Sequence, residues 1–174
     1  MNKCTNIFLT GMMGSGKSSI GRCAAEMLRL TFVDTDELIE SRLGRTITEL
    51  YREPGEEFFR EQEEILLAEL VHEDRQVIAT GGGMLANAAN LNLAQVSGLV
   101  VYLKAPVEVL VRRLETQSDR PLLAGSDQAA QLAQLLDLRR EYYESADVTI
   151  DVSALGIKQA AMALSEEYRK WLTD

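Results

Sequence analysis

Cysteine is scarce in this chain. Cys4 and Cys23 are the only two among 174 residues, too few for a disulfide framework. There is no CxxC pair and no Cys/His cluster, and the single histidine, His72, cannot build a zinc site alone. No apolar run reaches the ~18 residues of a membrane span. Met1-Asn2-Lys3-Cys4 leads into a short apolar stretch that stops at a glycine loop, so no signal peptide is expected. A reduced, cytoplasmic setting is the expectation. Positive charge is also short: 18 Lys and Arg stand against 27 Asp and Glu, a formal net charge of −9. The overall field therefore repels polyanions, which argues against duplex nucleic acid and anionic membrane as partners. A local basic cluster would still hold a small anion. Internal repeats, low-complexity tracts and linkers are absent.

What remains is an ordinary globular mixture, 46% hydrophobic and 26% charged. The length suits one domain that buries roughly 70% of its unfolded surface. Short apolar, β-branched runs at 6–10, 31–33, 77–80, 99–103 and 148–152 read as strands. Helical patterns fill the intervals: 17–30, 37–43, 46–52, 56–73, 85–94, from Pro106 to about 115, 128–144 and 154–172. Thr46 with Glu49 is a capping-box pattern. The helix at 56–73 offers Phe59, Ile65, Leu66, Leu70 and Val71 for a core face. Residues 116–127 read as a mobile loop. The alternation of strand and helix predicts a parallel sheet covered on both faces. Ligands of such sheets lie beyond the carboxyl ends of the strands.

Three of those ends carry unusual residues. The first is Gly11-Met12-Met13-Gly14-Ser15-Gly16-Lys17-Ser18, a full GxxxxGK[ST] phosphate loop between a strand and a helix. Its glycines let backbone N–H groups wrap phosphate oxygens, and the helix N-terminus adds partial positive charge. Lys17 reaches the β and γ phosphates, and the Ser18 hydroxyl suits Mg²⁺. The second is Asp34-Thr35-Asp36. No acid ends the strand at 77–80, so Asp34 becomes the candidate metal-side carboxylate, through water. In an extended stretch Asp34 and Asp36 point to one side, one toward the metal and one toward an acceptor hydroxyl; a helix cap is the alternative. The third is Gly81-Gly82-Gly83, which fits a ligand lying against bare backbone or a flexible turn. Arg60, Arg120 and Arg139 offer planar forks for carboxylate or phosphate, although a lone arginine is more often a solvated surface residue.

The order and spacing of several segments resemble the shikimate kinase family over nearly the whole chain. These are GMMGSGKSSIGR at 11–22, FVDTDELIE at 32–40, EEFFREQEE at 56–64, VIATGGG at 77–83, RPLLAG at 120–125, and Arg139 four residues before Tyr143. The resemblance implies an α/β fold of the nucleoside monophosphate kinase kind: a five-stranded parallel sheet in order 2-3-1-4-5 between helical layers. It implies a monomeric single domain over 1–174, a mobile lid at about 116–127 and a substrate-binding helical region at about 34–62. It also implies ATP-dependent phosphorylation of the 3-hydroxyl of shikimate, within aromatic amino acid biosynthesis, with Mg²⁺. Carried over, Asp36, Lys17 and Arg120 are catalytic. Gly14, Ser15, Gly16, Lys17, Ser18, Ser19, Arg113 and Arg120 bind nucleotide, with Arg112 the alternative to Arg113 beside adenine. Arg60 and Arg139 clamp the acceptor carboxylate, Gly81, Gly82 and Gly83 meet its hydroxyls, and Ser18 and Asp34 face the metal. The stretch Arg140-Glu141-Tyr142 lacks the proline often found there, which leaves Arg140 as fallback for Arg139. A gluconate-type sugar-acid kinase and a nucleotide-binding regulatory module are the rival readings.

Overall fold

The computed structural model describes residues 5–115 and 128–173. Five strands, β1 (Asn6–Thr10), β2 (Thr31–Asp34), β3 (Gln76–Ala79), β4 (Gly98–Lys104) and β5 (Val148–Asp151), form one parallel sheet. Their order is β2-β3-β1-β4-β5, as the family resemblance implies. Helices α1 (Lys17–Leu28), α2 (Thr35–Leu43), α3 (Ile47–Arg52), α4 (Glu56–Leu70), α5 (Ala88–Ser97), α6 (Val107–Glu115), α7 (Gln128–Glu144) and α8 (Ile157–Thr173) cover it.

Side chains alternate across each strand, and here both faces are covered. Ile7 and Leu9 of β1 face a core with α1, α6, α7 and α8, while Phe8 between them faces a second core with α2 to α5. Val77 and Ile78 divide the same way. An unbroken apolar run, Ile7–Leu9 in β1 and Leu99–Leu103 in β4, is what burial on two sides demands.

The pairing register aligns the carboxyl ends. Leu9 is opposite Ala79, Asp34 is opposite Ala79, and Thr10 is opposite Tyr102. Gly11, Thr35 and Thr80 therefore leave the sheet at one edge, side by side.

Several boundaries differ from the periodicity, each for a local reason. Helix α1 stops at Leu28 because Arg29 turns left-handed, φ 56°, with its N–H bonded back to the last turn. Strand β3 lies one residue earlier than predicted. Helix α4 ends at Leu70, and α5 begins at Ala88 rather than 85 because Asn87 caps it by accepting from the Asn90 N–H at 2.9 Å. Helix α8 begins at Ile157, after Gly156. The Thr46–Glu49 capping box is present at α3. Ile65 is 53% exposed, not core. The inward stripe of α4 is Phe59, Glu63, Leu66, Leu67 and Leu70, and its one charged member belongs to the site below.

Candidate active site

The phosphate loop closes over the end of β1. Gly16 caps α1 with φ 93°, a left-handed value that costs glycine little and any other residue more. Ser15 N–H donates to the Met12 carbonyl at 3.2 Å, and Ile20 N–H to that of Gly16 at 2.8 Å. Lys17 Nζ donates to the carbonyls of Gly11 and Met12 at 2.8 and 3.1 Å. The lysine is thus folded back over the loop it serves. Ser15 is buried and Ser19 is exposed on the first turn of α1.

Asp34 does two things at once. Its Oδ1 accepts from the N–H groups of Asp36 and Glu37 at 3.1 and 3.4 Å, which caps α2. Its Oδ2 accepts from the Ser18 hydroxyl at 2.5 Å. The helix cap that the sequence offered for Asp34 is present, and the same side chain turns its other oxygen to the phosphate loop. The idea that Asp34 and Asp36 line one side of an extended stretch is corrected: Asp34 is extended, with φ −109° and ψ 120°, but Thr35 and Asp36 already lie in α2. The cap starts the helix early, so Asp34 turns to the phosphate loop while Asp36 turns to Gly81.

Around Gly81 two carboxylates converge. A Cβ on that glycine would lie 2.6 Å from Asp36 Oδ1 and 2.7 Å from Glu63 Oε1. Glycine is therefore required by close approach, and its N–H is held by the Thr35 hydroxyl at 2.8 Å. Glu63 is 1% exposed and its Oε2 is ion-paired with Arg60 Nη1, while its Oε1 is buried without a hydrogen-bond partner. Burial pushes the Glu63 carboxyl up to about 7, against the pull of Arg60. For Arg60 burial works downward, but the Glu63 carboxylate more than offsets it, so the guanidinium stays firmly charged. Arg60 Nη2 also donates to the Tyr51 hydroxyl at 2.7 Å and to Glu56 at 3.1 Å. A Cβ on Gly83 would sit 2.7 Å from Arg60 Cζ.

Gly82 joins the two halves. A Cβ there would be 3.3 Å from Arg139 Nη1 and 3.6 Å from the Gly11 carbonyl of the phosphate loop. Arg60, Arg139, Asp36 and the phosphate loop thus border one glycine-lined strand end. Arg140 points elsewhere, ion-paired with Asp137 on the exposed side of α7, so it is no substitute for Arg139. Arg113 Nη2 donates to the Val152 carbonyl at 2.6 Å and Nη1 to that of Ser15 at 3.5 Å. It bridges the phosphate loop and the segment after β5, whereas Arg112 is exposed. Arg120 and the lid expected at 116–127 lie outside the described residues.

A family model described as shikimate kinase matches residues 13–169. The chain belongs to the shikimate kinase family. The shikimate kinase of Caldanaerobacter subterraneus subsp. tengcongensis is 39% identical over 165 residues, covering 95% of this chain and 96% of that one. A solved shikimate kinase from Acinetobacter baumannii, in complex with shikimate, superposes with a TM-score of 0.85 at 37% identity, over 98% of this chain and 93% of that one. A gluconokinase from Sinorhizobium meliloti superposes with a TM-score of 0.62 at 19% identity, over 99% of this chain and 98% of that one. That likeness shows the fold alone.

Within this shikimate kinase site, residue reading missed Glu63, Thr35, Tyr51 and Tyr143. Glu63 left a signal: a glutamate at the centre of the inward stripe of α4, four residues after Phe59 and three before Leu66. Buried charges are paired, and Arg60 one turn earlier is the partner. Thr35 and Tyr143 bond glycines 46 and 61 positions away and Tyr51 reaches Arg60 across the Pro54-Gly55 break, so no local pattern gives their contacts, although the spacing from Arg139 marked Tyr143 within the resemblance.

Proposed function

We propose that this site transfers the γ-phosphoryl group of ATP to the 3-hydroxyl of shikimate, giving shikimate 3-phosphate and ADP. The observation that carries the reading is the meeting at Gly81–Gly83 of two arginines, the carboxylates of Asp36 and Glu63 and the phosphate loop. A carboxylate acceptor with several hydroxyls needs such a set: forked cations at one end, carboxylates and bare backbone at the other.

Each residue then has a task. The loop N–H groups and the N-terminus of α1 hold the phosphates. Lys17 leaves the Gly11 and Met12 carbonyls and turns to the phosphate oxygens. Ser18 and Asp34 present oxygen donors only, the kind a hard Mg²⁺ ion accepts together with phosphates and water. When bound, that ion supplies charge neutralisation at the phosphates. Asp36 accepts a hydrogen bond from the acceptor hydroxyl, orients its lone pair toward the phosphate and takes the proton as transfer proceeds. Arg60 and Arg139 hold the acceptor carboxylate, and Gly81–Gly83 let the ring lie against the backbone. Arg113 borders the adenine side. Such positioning and charge neutralisation are most of what phosphoryl transfer asks of a protein.

The test is ADP release from MgATP with shikimate, quinate, gluconate, a nucleoside monophosphate or no acceptor. Release with shikimate alone is expected. Equal release with gluconate would return the site to the sugar-acid kinase reading, and no acceptor-dependent release would return it to the regulatory module.

A further inference from the structure

We infer that Tyr143 is a positioning residue of the acceptor site, whose hydroxyl locks the Gly82–Gly83 peptide and Arg139 into one arrangement. The inference rests on the acceptor reading above.

Tyr143 is 0% exposed, with its ring stacked on Tyr102 at 5.2 Å between centroids and 23° between planes. Phenylalanine would fill that space equally well. A buried hydroxyl is costly unless it is bonded, so its presence calls for polar partners. It has three. The O–H donates to the Gly82 carbonyl at 2.6 Å and lies 3.6 Å from Met12 Sδ in the phosphate loop. Arg139 is the third: burial pushes the phenol up and the Arg139 charge draws it down, and Arg139 Nη1 and the hydroxyl both crowd Gly82, 3.3 and 3.9 Å from where a Cβ would stand. Arg139 lies one helical turn before Tyr143, so both side chains leave the same face of α7.

The consequence comes from peptide planarity. The Gly82 carbonyl and the Gly83 N–H belong to one trans peptide and point in opposite directions. Holding the carbonyl toward Tyr143 turns the Gly83 N–H the other way. With no side chains at 81–83 to fix this segment by packing, a hydrogen bond has to do it. The same oxygen restrains Arg139, which would otherwise choose among the many rotamers of a long side chain. Tyr143 therefore sets two acceptor contacts while touching no acceptor atom itself.

The experiment is steady-state kinetics of Tyr143→Phe, with Tyr142→Phe as a control from the half-buried neighbouring position. Tyr143→Phe is expected to raise the shikimate KM about tenfold, the scale of one lost hydrogen bond to a charged or polar partner. Its kcat and its ATP KM should stay near wild type, with a loss of only the few degrees of melting temperature that one buried hydrogen bond is worth, and Tyr142→Phe should match wild type throughout. In an Arg139→Lys background the Tyr143→Phe effect should shrink, because both act through one contact. An unchanged shikimate KM would overturn the inference. So would a parallel loss in both KM values, kcat and melting temperature, which is what a packing role gives, or full additivity with Arg139→Lys. Wild type inactive with shikimate would overturn the acceptor reading and this inference with it. Wild type active with an indifferent Tyr143→Phe would overturn this inference alone.

Discussion

Asp36 and Glu63 face the same glycine, yet their environments separate their roles. Asp36 is half-buried on the first turn of α2, whereas Glu63 is enclosed and bonded to Arg60. Asp36→Asn keeps shape and hydrogen bonding but cannot take the acceptor proton. Its kcat is expected to fall at least ~100-fold with a modest change in shikimate KM; turnover within a few-fold of wild type would remove Asp36 from the chemistry. Glu63 predicts a stability slope instead. Its carboxyl lies at about 7 in the folded chain against an ordinary 4.5. Between those values the folded state binds more protons than the unfolded state, so stability falls as pH rises through that window and levels off above it. Glu63→Gln carries no such proton. Urea unfolding of both proteins from pH 4.5 to 7.5 should show the variant gaining on wild type up to about pH 7 and no further. A constant difference across the range would contradict the burial argument.

At the level of the element, the start of α2 is where one side chain serves both the helix and the phosphate loop. Asp34 caps the helix with one oxygen and meets Ser18 with the other. Asparagine caps nearly as well as aspartate, and alanine does not. Asp34→Asn should therefore melt near wild type while losing activity, chiefly through a higher Mg²⁺ requirement. Asp34→Ala should lose the activity and also about 1 kcal/mol of stability. Equal activity in Asp34→Asn and wild type would reduce Asp34 to a cap. The same doubling occurs at α4, whose inward stripe mixes four apolar residues with Glu63. Burying that glutamate beside Arg60 holds the guanidinium in one place, at the desolvation cost that any enclosed ion pair carries.

For the molecule as a whole, the site has no single owner. The phosphate loop follows β1, Asp34 and Asp36 follow β2, the glycines follow β3, Arg60 lies on α4 and Arg139 on α7. A ligand bound there braces elements that are distant in sequence and meet only in the folded chain. At one hundred times its dissociation constant, shikimate or ATP should stabilise the fold by about 2.7 kcal/mol. For a domain of this size that raises the melting temperature by roughly 5–10 °C. Both together should exceed either alone in a thermal shift assay. No shift with shikimate at saturating levels would argue against a built acceptor site.

The sequence by itself determined the covered parallel sheet, the phosphate loop and the three glycines at the end of β3, because these depend on local terms, while the strand order came only with the family resemblance. Burial on two sides demands uninterrupted apolar strands, a phosphate cradle demands glycine at fixed spacing, and Thr46 with Glu49 starts a helix wherever it is placed. It also put Asp36, Arg60 and Arg139 forward, through the joint spacing of their segments. Tertiary structure alone decided which way each of them faces. It turned Asp34 and Asp36 apart by starting α2 at Thr35, chose Arg139 over Arg140, and set Arg113 between the phosphate loop and Val152. It also brought Tyr143 to Gly82 across 61 positions of chain. Such contacts have no period and no motif. They arise where a parallel sheet aligns its carboxyl ends and so brings polar groups from distant segments together.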